Sequence, residues 1–173
     1  PNLRMSGYGI YEPLIKHGTR VFGGPLFNPL ICKKDLVTVR ERRQSLTFSS
    51  RPKILLFFGG ADHLGATRII LKALLAETWP NTHFSVVAGK ANVDKVDLQK
   101  MTEGRSDFAY FEHVENWAEF MADFDFAIGA AGTSAWERSF IGLPAFNFSI
   151  SDNQILVGEE SHKVGATFYL GHF

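Results

Sequence analysis

Short apolar runs alternate with amphipathic stretches along most of this chain. The run KILLFF at residues 53–58 is uninterrupted by polar residues, as in strands buried on both faces of a parallel sheet. Similar runs predict strands at 82–88, 107–111, 126–128 and 145–150, and a last one at 167–170. The stretches between them carry helical spacing at 66–78, 94–103, 116–123, 134–141 and 154–163, and Asp35 is placed to cap a further helix over 35–44. In the third of these, Trp117, Phe120, Met121 and Phe124 recur at i, i+3, i+4 and i+7, a stripe that reads as core. Arg40, Arg42 and Arg43 read as a solvated face. The first 30 residues are rich in Gly and Pro and read as a loop-rich edge or linker, with a short strand at 19–22.

Six alternations of strand and helix predict an α/β domain, a Rossmann-like parallel sheet with right-handed crossovers. The expected strand order is 3-2-1-4-5-6, which makes the strands at 53–58 and 125–128 neighbours. The direction of winding reverses between them, and ligands of such sheets bind there, beyond the carboxyl ends of the strands. Both of these strands run into glycine turns, Gly59-Gly60 and the stretch from Gly129 to Gly132. A turn that passes from strand to helix through glycine aims free N–H groups and a helix dipole at one point, a site suited to phosphate. Ser134 and Glu137 have capping-box spacing, which starts the helix near Ser134, and Gly142 with Pro144 ends it.

Composition narrows the chemistry. The net charge is zero over 173 residues, so there is no electrostatic footprint for nucleic acid. No apolar run reaches membrane-spanning length. Cys32 is the single cysteine, which rules out an internal disulfide and fits a reducing, cytoplasmic setting. The six histidines lack paired-ligand spacing, so no metal site is expected. The turn GGADHLG is not G-x-G-x-x-G, and Ala88-Gly89-Lys90 offers no acid for a dinucleotide ribose. A P-loop and a nucleophile elbow are both absent, and no separate cofactor is implied. Asn147-Phe148-Ser149 spells a glycosylation sequon, but it falls in an expected buried strand.

The string GAAGTSAWERSFIGLP, with DNQ following and FFGGAD before it, resembles the carboxy-terminal half of GT-B-fold nucleotide-sugar enzymes. The resemblance runs from about residue 22 to 170. It is nearest to the UDP-sugar hydrolase of pseudaminic acid biosynthesis and its spore-coat polysaccharide relatives, and more distant to the peptidoglycan GlcNAc transferase. It implies a UDP-sugar-binding domain over residues 31–173, with residues 1–30 as the tail and crossover of a first domain. That amino-terminal domain, which in the hydrolase brings a catalytic histidine, is the expected partner in cis or in trans. It also implies hydrolysis of the sugar–UDP bond by water; a glycosyltransferase with a hydroxyl acceptor and a non-catalytic nucleotide-sugar-binding module are the alternatives.

Carried over residue by residue, Glu137 would hold the ribose hydroxyls, against the local alternative that it only closes the capping box with Ser134. Gly132, Thr133 and Ser134 would receive the diphosphate, or else simply cap their helix. Gly59 and Gly60 would let the first turn approach the phosphates or the sugar. Asn153 and Gln154 would face the sugar, or else form a surface turn, and Val114 would lie near the uracil. Ala131 stands where the family usually has Gly, and His63 where it often has Pro.

Overall fold

The computed structural model describes residues 16–18, 33–45, 47 and 49–173. Most of the linker expected over 1–30, with its strand at 19–22, and Cys32 lie outside these. Among the described residues six strands and six helices alternate: α1 (Lys33–Arg43), β1 (Lys53–Phe57), α2 (Ala66–Leu75), β2 (His83–Val87), α3 (Lys95–Thr102), β3 (Phe108–Phe111), α4 (Trp117–Ala122), β4 (Phe126–Ala130), α5 (Thr133–Ile141), β5 (Ala145–Ser149), α6 (Asp152–Lys163) and β6 (Phe168–His172). The sheet has the order β3-β2-β1-β4-β5-β6, and every pairing is parallel. This is the expected doubly wound arrangement, with β1 beside β4 at its switch point.

Alternation along β1 builds two cores. Leu55 joins Leu36 and Val39 of α1, Met121 and Ala122 of α4, and Ile141 of α5 on one face. Leu56 and Phe58 join Leu71 and Leu74 of α2 and Leu98 of α3 on the other. Burial of each such large aliphatic side chain contributes about 1.5–3 kcal/mol before the entropic cost of ordering it. Of the arginines of α1, Arg40 and Arg42 are exposed as expected, whereas Arg43 is half-buried. Arg43 Nη1 donates to the carbonyls of Ala122 (2.7 Å) and Phe124 (2.8 Å), tying α1 to the end of α4, and burial pushes its guanidinium pKa down. Arg42 pairs with Glu119 at the surface, at 2.8 Å.

Element boundaries depart from expectation for local reasons. Helix α2 stops at Leu75, short of residue 78, where the Trp79 indole N–H donates to the Leu74 carbonyl at 2.8 Å. Strand β4 continues through Gly129 and Ala130, so Gly129 belongs to the sheet and not to the turn. It pairs with Phe57 and Asn147, and a Cβ there would fall 2.2 Å from the Phe57 carbonyl oxygen. Helix α6 begins at Asp152 with Ser151 as N-cap, two residues before the expected start at Gln154, which puts Asn153 in its first turn and not in a loop before it.

Candidate functional site

An open cleft of about 420 Å³ lies at the carboxyl ends of β1 and β4. The turns after β1, β4 and β5 converge on it. Of the residues expected at a site, it brings together Gly59, Gly60, Gly132, Thr133, Ser134 and Gln154; Ser151, Ile150 and His63 complete much of its lining. A second hollow of about 330 Å³ lies at the opposite end of the sheet, around Arg43 and Asp125. There the Asp125 carboxylate is already occupied by the backbone N–H groups of Ser49 (3.1 Å) and Lys53 (2.8 Å).

The two turns that leave β1 and β4 meet their helices differently. After β1 the chain turns at Gly59, whose φ of 104° is in the range glycine adopts without strain. Gly60 then packs directly on Gly89, at the end of β2: a Cβ on Gly89 would lie 2.2 Å from the Gly60 backbone. Asp62 follows with φ 43° and is buried. Its carboxylate accepts from the N–H groups of Ala66 (3.0 Å) and Thr67 (2.8 Å), the first residues of α2. That negative charge closes the positive end of α2.

The turn after β4 has no such plug. Gly132 is the N-cap of α5, and among the described residues no side chain is bonded to this helix end. The first N–H groups of a helix lack intrahelical partners. In α5 the Ala135 N–H bonds back to the Gly132 carbonyl at 3.0 Å, and Thr133 and Ser134, the first two residues, line the cleft. The expected capping box is therefore not formed: the helix starts at Thr133, one residue before Ser134, and Glu137 points elsewhere. Across the gap, Gln154 Oε1 accepts from the Ile150 N–H at 3.1 Å. This turns Nε2 toward Gly132, where a Cβ would come within 3.2 Å of it. The amide thus presents a donor where an anion at the α5 terminus would sit.

Three expected residues lie away from this lining. Asn153 is exposed, and its Oδ1 accepts from the Ser151 hydroxyl at 2.6 Å. Val114, in the loop before α4, is half-buried against the core that α1, α4 and α5 form on one face of the sheet. Glu137 is 3% exposed and accepts from Trp117 Nε1 at 3.1 Å. The Trp117 ring in turn packs on Phe57, with centroids 4.6 Å apart, and Phe57 reaches the cleft wall. Trp117 and Glu137 thus form a second group, joined to the cleft through Phe57.

Sequence reasoning missed Arg138 and Asn147. Arg138 is fully buried between α5 and the sheet, and its Nη2 donates to Ala130 O (2.8 Å) and Asn147 Oδ1 (2.7 Å). Burial pushes its pKa down to about 10, opposed by the nearby Glu137 carboxylate. A signal for it existed. Ala135, Arg138 and Ile141 share one buried face of α5, and Asn147 is a polar residue between two phenylalanines in the middle of a strand. Among the described residues the buried charged side chains are Asp62, Glu137 and Arg138, and all three follow β1 or β4 at the switch point. Burying a charge is costly, so their gathering at one end of the sheet marks that end as more than packing.

No family model matches the chain. It is 28% identical over 130 residues to an uncharacterized protein of Methanocaldococcus jannaschii, an alignment covering 73% of this chain and 26% of that protein. Among solved structures it is similar to MurG of Acinetobacter baumannii, with TM-score 0.61 and 15% identity over 91% of this chain and 44% of that one. It is also similar to WaaG, a glycosyltransferase involved in lipopolysaccharide biosynthesis, with TM-score 0.55 and 16% identity over 82% of this chain and 38% of that one. The chain therefore spans about a quarter of its curated relative and less than half of these structures. Its fold is that of a Rossmann-like, carboxy-terminal-type domain of the GT-B glycosyltransferases.

Proposed function

We propose that this domain binds a nucleotide sugar, of the UDP type, in the cleft between the turns of β1, β4 and β5, as one half of a sugar-transferring enzyme. The observation that carries this is the contrast between the two helix ends. Asp62 fills the N-terminus of α2, whereas α5 ends at Gly132 with no side-chain cap, facing the Gln154 amide. An uncapped helix terminus flanked by hydroxyl and amide donors suits a diphosphate, and it would stabilise the charge that develops on a departing nucleoside diphosphate. The preference for uridine rests on the resemblance of the motif between Gly129 and Gln154.

Glu137 is the proposed ribose ligand, with Val114 near the base. A carboxylate can accept from both hydroxyls of a vicinal diol. Because Glu137 is buried under Trp117, this role requires the indole to shift when the nucleotide enters. Transfer to a hydroxyl acceptor is the reading that the structural neighbours support. Hydrolysis, the main expectation from the motif, is supported by the resemblance alone. Calorimetric titration with UDP, CMP, ATP and NAD tests the ligand assignment. UDP is expected to bind best, and weakly, since one half of an interdomain cleft covers only part of the ligand. Equal or tighter binding of NAD would refute it.

A further inference from the structure

The buried Arg138 stands directly behind the turn that faces the cleft. The Ala130–Ala131 peptide is held at both ends: its carbonyl accepts from Arg138 Nη2 at 2.8 Å, and its N–H donates to the Phe148 carbonyl at 2.7 Å. Ala130 also lines the cleft. The guanidinium is thus separated from the cleft by the thickness of that peptide. It lies over Gly129, where a Cβ would come within 3.2 Å of Nη1, and beside Asn147, the neighbour of Gly129 on β5. Its two hydrogen-bond partners, Ala130 O and Asn147 Oδ1, are neutral oxygens. Nε and Nη1, and the Asn147 amide nitrogen, have no partner among the described residues.

Stability does not account for this arrangement. A buried guanidinium with unsatisfied N–H groups carries a desolvation cost that two neutral acceptors offset only in part. Apolar side chains of similar volume would fill the same space without it. We propose that Arg138 is a positioning residue for the anion. It holds the Ala130 carbonyl away from the cleft, so that this peptide turns no carbonyl oxygen toward an anion there. It also sets a positive charge behind that turn which the phosphates of a bound nucleotide compensate. This deepens the proposed nucleotide-diphosphate reading and rests on it for the identity of the ligand. Because the charge sits in a low-dielectric interior, salt screens it less than it would a surface lysine.

The test compares the 173-residue chain with Arg138→Gln, Arg138→Lys and the double variant Arg138→Met/Asn147→Leu, by calorimetry with inorganic pyrophosphate, uridine, ADP and UDP and by urea unfolding. The double variant removes the buried polar pair together and is expected to keep the parent urea midpoint or exceed it. Its affinity for pyrophosphate and UDP should fall about tenfold, with uridine unchanged. Arg138→Gln, which keeps donors without the charge, should lose most of that factor, and Arg138→Lys should recover part of it. The inference is overturned if the double variant keeps its pyrophosphate affinity, if uridine and pyrophosphate weaken in parallel, or if the parent chain binds no pyrophosphate. Should the double variant not fold, the Gln and Lys variants decide between the same outcomes. Pyrophosphate binding that depends on Arg138 while UDP gains nothing over ADP upholds the inference and refutes the uridine reading. Tight UDP binding with an unchanged diphosphate increment does the reverse.

Discussion

Replacing Glu137 by alanine separates a ligand role from a structural one. In the free domain the carboxylate accepts from Trp117 Nε1 at 3.1 Å, and its loss strands that indole donor in a half-buried position. A donor left unsatisfied by truncation costs about 1–3 kcal/mol. At roughly 2–4 °C per kcal/mol for a domain of this size, the melting temperature should fall by about 2–12 °C. If the same carboxylate also takes the ribose hydroxyls, the variant loses charge-assisted bonds of about 1.5–3 kcal/mol on binding, or roughly 10- to 100-fold in UDP affinity. The two effects separate through the ligand. In the parent chain, 2′-deoxy-UDP should bind more weakly than UDP; in Glu137→Ala that difference should vanish. Glu137→Gln keeps an acceptor for Trp117 and should restore most of the melting temperature while still binding UDP poorly. Equal weakening of UDP and 2′-deoxy-UDP by the alanine variant would refute the ribose assignment, and unchanged UDP affinity would reduce Glu137 to an anchor for Trp117.

Asp62→Ala removes the carboxylate that accepts from the Ala66 and Thr67 N–H groups. It should cost about 1–3 kcal/mol in urea unfolding, because two buried donors lose their partner. Gly89→Ala should cost about 3 kcal/mol or prevent folding, since its Cβ would fall 2.2 Å from the backbone of Gly60 and neither strand end can yield cheaply; a urea midpoint within error of the parent would contradict the packing described for the first turn. A UDP-release assay on UDP-linked amino- and deoxysugars, run with and without hydroxyl acceptors, should show no turnover by these 173 residues and acceptor-dependent turnover once a catalytic amino-terminal domain is supplied, because a held leaving group without a positioned general base is not enough. Turnover by the chain alone, abolished in His63→Ala, would place the base on the first turn.

The fold was legible because its strands are short, apolar and separated by amphipathic helices, a pattern that few architectures satisfy. Even the strand order followed from the chain rules for such sheets. The cleft was legible in its glycines: Gly59, Gly60 and Gly132 lie where an α/β sheet reverses its winding. What the pattern could not convey was long-range pairing. Ser134 and Glu137 have capping-box spacing, yet Glu137 bonds to Trp117, 20 residues earlier, a contact that exists only once α4 packs beside α5. Asp62 lines the cleft, but its hold on the start of α2 is visible only in its distances to the Ala66 and Thr67 N–H groups. Arg40, Arg42 and Arg43 look alike in the sequence and differ by contact, Arg43 alone reaching the carbonyls after α4. Gly129 reads as part of a turn because glycine marks turns more often than strands, whereas here it is the close approach of β1 that excludes a side chain.

The central claim is that the uncapped end of α5, and not that of α2, receives the phosphates of a uridine nucleotide. Amide chemical shifts followed by NMR during titration of the ¹⁵N-labelled chain with UDP, with UMP and uridine as controls, test it most directly. The account predicts the largest diphosphate-dependent shifts at the N–H groups of Thr133 and Ser134 and the side-chain amide of Gln154, with Ala66 and Thr67 nearly still. Shifts centred on Ala66 and Thr67, or on the hollow around Arg43 and Asp125, would contradict it.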